Sequence, residues 1–104
     1  MSRSEAITIA KEYTRALQAA GVSCDAVYLF GSQAKQGQRE ASDIDVAVIS
    51  PYLREKYMEG RFLLWKIRRG VDLRIEPHGF TPEDWQDDCD PLVHEIKSTG
   101  LKVA

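Results

Sequence analysis

Two aspartates one residue apart, Asp43 and Asp45, are the residues of this sequence best suited to chemistry. They flank the start of the apolar run IDVAVI, which has the composition of a β-strand. Side chains alternate between the two faces of a strand, so both carboxylates should lie on the same face. Carboxylates this close repel each other unless a cation lies among them, and oxygen ligands are those that Mg²⁺ prefers. The pair therefore predicts a magnesium site.

Gly31 and Ser32 follow another β-rich run, AVYLF, and have the residue types of a phosphate-binding turn. Glycine allows the backbone to approach a ligand closely, and the serine hydroxyl can donate a hydrogen bond to a phosphate oxygen. If a helix begins at Ser32, its free N–H groups also favour an anion. Lys35 and Arg39 could neutralise phosphate charge, although loop cations are usually idle. We expect phosphate and metal to meet in one pocket.

Asp72 is the expected third carboxylate. The run VDLRIE alternates cleanly, which predicts a strand from Val71 to Glu76 with Asp72 facing away from the apolar side chains. Glu76 lies on the same face and is the alternative candidate. Three carboxylates can bridge two magnesium ions about 3.5–4 Å apart, one near the attacking oxygen and one near the leaving pyrophosphate.

Capping residues and hydrophobic spacing predict the elements that position these groups. In chain order they are a helix from Ser2 to Gly21, strands Ala26 to Phe30 and Ile44 to Ile49, a helix from Ser50 to Gly70 that Gly60 could interrupt, a strand Val71 to Glu76, a short helix from Thr81, a helix Pro91 to Ser98 and a last strand Leu101 to Val103. We expect one α/β (α+β) domain over residues 1–104, with a small mixed sheet of three to four strands flanked by helices.

The composition excludes several classes of protein. With 43% hydrophobic and 29% charged residues, and no apolar run near about 20 residues, the sequence favours a soluble protein without a membrane span. A polar start without a secretory signal favours the cytoplasm. The net charge of −2 disfavours binding to long nucleic acids. His78 and His94 lack the spacing of metal ligands and are interpreted as surface or packing residues.

The stretch GSQA…SDIDVAV resembles the signature of the minimal nucleotidyltransferases of the DNA polymerase β superfamily. The similarity extends through VDLRIEP and PLVHEIKSTGLKV, nearly the whole chain. The resemblance implies a polymerase-β-like fold in which Gly31 and Ser32 hold the triphosphate of ATP, and Asp43, Asp45 and Asp72 ligate two Mg²⁺ ions and are catalytic. Many members have glycine where this chain has Gln36, followed here by Gly37, so the loop could be remodelled.

The resemblance also implies a function, the transfer of AMP from ATP to a hydroxyl acceptor. The expected partner is a helical HEPN protein acting as an RNase toxin, so that the chain would be the antitoxin of a toxin–antitoxin system and a tyrosine of the partner its acceptor. A homodimer is the alternative assembly. Two other functions stay open: a binding module that neutralises a HEPN partner by contact alone, and nucleotidyl transfer to a small molecule such as an aminoglycoside or to an RNA end.

Overall fold

The computed structural model describes residues 2–31 and 43–104. Their elements are α1 (Arg3–Ala19), β1 (Ala26–Phe30), β2 (Ile44–Ile49), α2 (Tyr52–Glu55), α3 (Tyr57–Ile67), which a 3₁₀ turn at Arg68–Gly70 extends, β3 (Ile75–Phe80), α4 (Pro82–Trp85), α5 (Pro91–Thr99) and β4 (Leu101–Lys102). Ser32, Lys35, Gln36, Gly37 and Arg39 lie outside the described residues. No helix in the described part of the chain has the length and hydrophobicity needed to cross a membrane.

The four strands form one mixed sheet in the order β3-β2-β1-β4. Strand β2 is antiparallel to β1 and parallel to β3, and β4 is antiparallel to β1. In this register Asp45 of β2 lies between Phe30 on β1 and Glu76 on β3. The predicted α/β fold with a small mixed sheet flanked by helices is confirmed.

The sheet is buried on both faces, by different helices. One face packs with α1, α2 and α3 into the larger core, whose strand residues are Val27, Leu29, Ile44, Val46, Val48 and Ile75. The opposite face packs with α4 and α5 into a smaller cluster that includes Phe30, Ala47, Ile49 and Phe80. Because side chains alternate along each strand, Asp45 and Glu76 share this second face with the smaller cluster.

The second predicted helix is divided in two. The break lies at Lys56, whose backbone has φ −118° and ψ 54°, and not at Gly60, which lies inside α3. A Cβ atom at Gly60 would come within 2.5 Å of the Leu53 Cδ2 atom. Glycine is therefore needed where α3 packs closely against α2, which explains why this residue does not break the helix.

The third strand lies four residues later than predicted, from Ile75 to Phe80 instead of Val71 to Glu76. The Asp72 carboxylate accepts hydrogen bonds from the backbone N–H of Arg74, at 2.9 Å, and from its guanidinium, which holds residues 72–74 in a turn. The real strand contains Pro77, which strand patterns normally exclude. The carbonyls of Arg74 and Phe80 both bond to β2, so the nitrogen of Pro77 faces the open edge of the sheet, where no hydrogen bond is lost.

Tyr13 joins α1 to α3 through a buried hydrogen bond. Its side chain is fully buried, and its hydroxyl donates to the carbonyl oxygen of Leu64 at 2.7 Å. Burial raises the pKa of Tyr13, so the phenol stays protonated and remains a donor. The Leu64 carbonyl also accepts from the backbone N–H of Arg68, so it keeps one partner when the phenol is removed.

We predict that Tyr13→Phe lowers the free energy of unfolding by about 1 kcal/mol, the usual net value of one intramolecular hydrogen bond. Tyr57→Phe is the matched control, because Tyr57 is half exposed on α3. The phenylalanine ring of this variant keeps the contact with the Arg61 guanidinium, which lies over the ring. Denaturant unfolding followed by circular dichroism measures both variants. Equal stability of Tyr13→Phe and the parent would show that this hydrogen bond does not contribute.

Candidate active site

Asp45 and Glu76 come together because β2 and β3 pair in parallel with these two residues in register. Both side chains are half-buried on the same face of the sheet. Each offers a carboxylate oxygen, His78 offers a ring nitrogen, and the three atoms all lie within 4.8 Å of one another. Two carboxylates and an imidazole thus converge at the end of the sheet where β2 begins.

Asp43 is a further carboxylate near this group, close enough for its charge to act on Glu76. It is the residue immediately before β2, and its side chain is exposed. The expectation that Asp43 and Asp45 lie on one face agrees with the electrostatics, because both act on Glu76. Burial raises the pKa of the Glu76 carboxyl, and the charges of Asp43 and Asp45 raise it further.

Burial is the largest cause of the raised pKa of Glu76, and the neighbouring carboxylates add to it. In the absence of a cation, repulsion between neighbouring carboxylates favours protonation of one of them. A divalent cation among them would stabilise the ionised form instead. Carboxylate oxygens with one nearby imidazole nitrogen are a suitable set of donors for such an ion. The residues present therefore fit a divalent metal, with Asp43, Asp45 and Glu76 as its carboxylate ligands.

Gly31 lies against the same cluster at the end of β1. Its φ of +71° is in the left-handed region, which glycine adopts without strain. A Cβ atom at this position would overlap the Asp45 Oδ2 atom and lie 3.3 Å from Asp45 Cγ. The backbone at Gly31 thus lies so close to the Asp45 carboxylate that a side chain at this position would clash with it. Ser32 lies outside the described residues.

Asp72 does not occupy the position expected of it. The prediction that it lies on a strand beside β2 is wrong, since it precedes β3 by three residues and is paired with the guanidinium of Arg74 at 2.7 Å. Arg74 lowers the pKa of the Asp72 carboxyl, so this group is already ionised and neutralised without a metal. The place beside Asp45 belongs to Glu76, the alternative candidate. The error follows from the wrong strand boundary.

His78 is the site residue that the sequence interpretation missed. Its Nε2 atom lies 3.3 Å from Asp45 Oδ1, and its ring packs edge-on against Phe30 at a centroid distance of 5.1 Å. The signal was the spacing of Glu76 and His78, which puts both on one face of a strand. That spacing predicts a shared face only if residues 76–78 form a strand, and a proline at position 77 disfavours a strand. His94 is exposed on α5, as a surface residue.

Comparison with known proteins places this geometry in a family. The chain matches the family described as "Polymerase beta, Nucleotidyltransferase" over residues 10–75, more than half of its length. This segment includes Gly31, Asp43 and Asp45 and ends one residue before Glu76. No curated protein sequence matches the chain.

A solved structure shares the fold. It is the crystal structure of a proposed nucleotidyltransferase from Sulfolobus solfataricus, which superposes with a TM-score of 0.64 at 16% sequence identity. The match covers 96% of this chain and 80% of the other. Identity this low establishes the common fold and leaves the family assignment to the sequence match. Enzymes of the matched family use metal ions, in keeping with the carboxylates gathered here. The chain therefore belongs to the polymerase beta nucleotidyltransferase family and is a nucleotidyltransferase.

Proposed function

We propose that this nucleotidyltransferase transfers AMP from ATP to a hydroxyl acceptor, with Mg²⁺ held by Asp43, Asp45 and Glu76. The observation that carries the proposal is the convergence of these carboxylates beside Gly31. The raised pKa of Glu76 supports it, because the neighbouring carboxylates contribute to the shift and a bound cation would offset their charge. Mg²⁺ would supply positive charge there, and the ATP bound with it would supply the reacting phosphate.

In the proposed reaction, the hydroxyl oxygen of the acceptor attacks the α-phosphorus of ATP. A phosphorus–oxygen bond to the acceptor forms, the bond between the α- and β-phosphates breaks, pyrophosphate leaves and the hydroxyl proton is released. Bound Mg²⁺ would polarise the phosphate and neutralise charge on the leaving group. The carboxylates on β2 and β3 hold fixed positions because both strands are paired in the sheet, and the main contribution of the protein is orientation.

The turn after β1 is proposed to hold the triphosphate. Gly31 brings its backbone next to Asp45, so a phosphate contacting this turn would also lie within reach of the metal ligands. Ser32, the next residue, is proposed to donate its hydroxyl to a phosphate oxygen. This arrangement would place phosphate and metal in one pocket, as the sequence predicted.

We propose that the acceptor is a tyrosine of a helical HEPN-type partner, which makes the chain an antitoxin. An exposed apolar strip on α3, here called the α3 surface, is the candidate contact region. Met58 and Phe62 are 75% and 74% exposed, and Trp65 is 43% exposed. Contiguous exposed apolar side chains on a soluble protein are typical of a surface that contacts another molecule. Lys66, Arg68 and Arg69 line the adjoining depression, which favours an acidic partner surface.

The same α3 surface supports a second candidate function. A binding module that neutralises its partner by contact alone would need this surface and no intact metal site. The aspartates of β2 separate the two candidates, because they lie on the sheet and not on α3. A double variant, Asp43→Asn with Asp45→Asn, should lose neutralisation if AMP transfer is the mechanism. Full neutralisation by the folded double variant would instead establish the contact mechanism.

The decisive experiment incubates the protein with ATP, Mg²⁺ and the product of the neighbouring gene, and then weighs both proteins by mass spectrometry. We expect AMP adducts on the partner, which do not form when EDTA is present from the start or when Asp43 and Asp45 are replaced by asparagine. Adducts that form equally well with the double variant would rule out this site. Unmodified partner with adducts on small hydroxyl compounds or RNA ends would keep the reaction and change the acceptor.

Glu76→Gln and Asp72→Asn form a matched pair that tests the identity of the third carboxylate. We predict that Glu76→Gln slows nucleotidyl transfer on the order of a hundredfold, since it removes one charged ligand from the pocket. Asp72→Asn should keep most of the activity, because its carboxylate contacts only Arg74 among the described residues. Single-turnover rates at saturating Mg²⁺ measure both. A large loss in Asp72→Asn and none in Glu76→Gln would reverse the assignment.

The pKa of Glu76 predicts how metal binding depends on pH. Its pKa is raised above the ordinary value of 4.5, so the folded protein binds this proton more tightly than the unfolded chain does. Without metal, stability should therefore fall as pH rises from that value through the raised pKa. Mg²⁺ binds the ionised form, so its stabilising effect should be larger near about pH 7.5 than near about pH 5.

At a Mg²⁺ concentration about a hundredfold above Kd, the gain in the free energy of unfolding should reach about 2.7 kcal/mol on the alkaline side. Thermal unfolding with and without Mg²⁺ at both pH values gives this difference. Glu76→Gln serves as the control, and it should lose the part of the pH dependence that Glu76 contributes. A Mg²⁺ effect that is the same at both pH values would contradict the role of Glu76.

A further inference from the structure

His78 lies beside the proposed metal site because of the spacing of β3. It follows Glu76 by two residues, so the two side chains project from the same face of the strand. In the pairing of β2 with β3, His78 is opposite Ala47, two positions along from the pair of Asp45 and Glu76. Diagonal neighbours of this kind are within reach of long side chains. The small Ala47 side chain lets the imidazole lean back toward Asp45.

The distance between His78 Nε2 and Asp45 Oδ1 is 3.3 Å, longer than the usual hydrogen bond of about 2.9–3.0 Å. Two ligand atoms bound to the same ion at about 2.1 Å each, in octahedral or tetrahedral geometry, are separated by about 3.0–3.4 Å. The observed separation allows both arrangements, so Nε2 and Oδ1 lie close enough to bind one ion. Glu76 completes the group, since all three ligand atoms lie within 4.8 Å of one another.

Packing holds the imidazole in this orientation. The ring of Phe30, itself nearly fully buried, contacts the His78 ring in a T-shaped arrangement with an interplanar angle of 65°. Phe30 is also the register partner of Asp45 on the other side of β2. The His78 side chain remains 36% exposed, so an ion reaching the carboxylates would also reach Nε2. The geometry of a third ligand is thus present before any ion binds.

An imidazole changes which metal a site prefers. Mg²⁺ is held almost entirely by oxygen ligands and keeps several waters, whereas transition-metal ions accept nitrogen readily. Mn²⁺ shares the octahedral, oxygen-binding chemistry of Mg²⁺ and also binds imidazole. A nitrogen ligand next to two carboxylates should therefore raise the affinity for Mn²⁺ more than the affinity for Mg²⁺.

We propose that His78 is a further protein ligand of the ion held by Asp43, Asp45 and Glu76, and that its Nε2 atom sets a preference for Mn²⁺ over Mg²⁺. The inference rests on the proposed function, because it requires that the carboxylate cluster binds a divalent ion. It goes further by naming a residue that determines metal specificity. The alternative role of His78 is to hold Asp45 by a hydrogen bond while remaining outside the coordination sphere.

The test measures Mn²⁺ binding to the purified protein by the loss of the free-ion electron paramagnetic resonance signal, with Mg²⁺ as competitor. We expect the ratio of Mn²⁺ to Mg²⁺ affinity to fall about tenfold or more in His78→Ala and in His78→Gln. Loss of a residue that only supports a metal ligand already lowers metal affinity by about tenfold. Pulsed measurements on bound Mn²⁺ should show ¹⁴N modulation from a coordinated imidazole in the parent and none in either variant. His94→Ala, an exposed histidine on α5, is the matched control and should change neither result.

Each other outcome has a distinct meaning. Bound Mn²⁺ without ¹⁴N modulation in the parent would overturn the assignment of His78 as a ligand and leave the proposed function intact. Retention of the parental metal preference in His78→Gln, which can still donate a hydrogen bond to Asp45, would likewise reduce His78 to a positioning residue. Mn²⁺ binding that is unchanged by Asp45→Asn, or absent from the parent, would overturn the carboxylate site itself and with it both proposals. Circular dichroism confirms that each variant is folded.

Discussion

The parallel pairing of β2 with β3 is the constraint on which the site depends. It sets Asp45 beside Glu76, two groups that repel each other when both are ionised. The register cannot shift to relieve this repulsion, because a slip of one residue would turn the apolar side chains of β3 away from the core. Burial of Ile75 on one face and Phe80 on the other therefore keeps the carboxylates together. The free energy of core packing maintains an electrostatic strain that a divalent ion would remove.

The two faces of the sheet have different tasks. The face toward α1 and α3 is apolar along its length and provides most of the core. The other face is apolar at one end and polar at the other. At the apolar end, Ile49 and Phe80 of the sheet pack with α4 and with Val93 of α5. The polar groups lie at the end where β2 begins. Phe30 lies at the boundary, since it belongs to the apolar cluster and also contacts His78. Among the described residues, α4 and α5 thus cover the apolar end of this face, and the polar groups lie at its other end.

Much of the fold could be predicted because local signals agreed with tertiary packing. Strands β1 and β2 have the predicted bounds, and the Ser2 cap of α1 is present, with its hydroxyl accepting from the Glu5 N–H at 3.1 Å. The third strand could not be predicted from alternation, because two effects that the alternation pattern does not contain decide it. The Asp72 side chain accepts a hydrogen bond from the backbone N–H of Arg74. These residues therefore form a turn, although their sequence pattern is that of a strand. Proline at position 77 is compatible with a strand only at a sheet edge, and edges are a property of the topology.

The same proline shapes the environment of the site. Glu76 and His78 bond through their backbones toward β2, as the pairing of their neighbours Arg74 and Phe80 shows, while Pro77 presents no N–H at the open edge. A further strand adding at this edge would need that donor, so Pro77 disfavours edge-to-edge association next to the carboxylates. Its ring is buried on the opposite face, so proline serves the core as well. One residue that sequence patterns treat as a strand breaker thus separates Glu76 from His78 by the spacing that brings both side chains to Asp45.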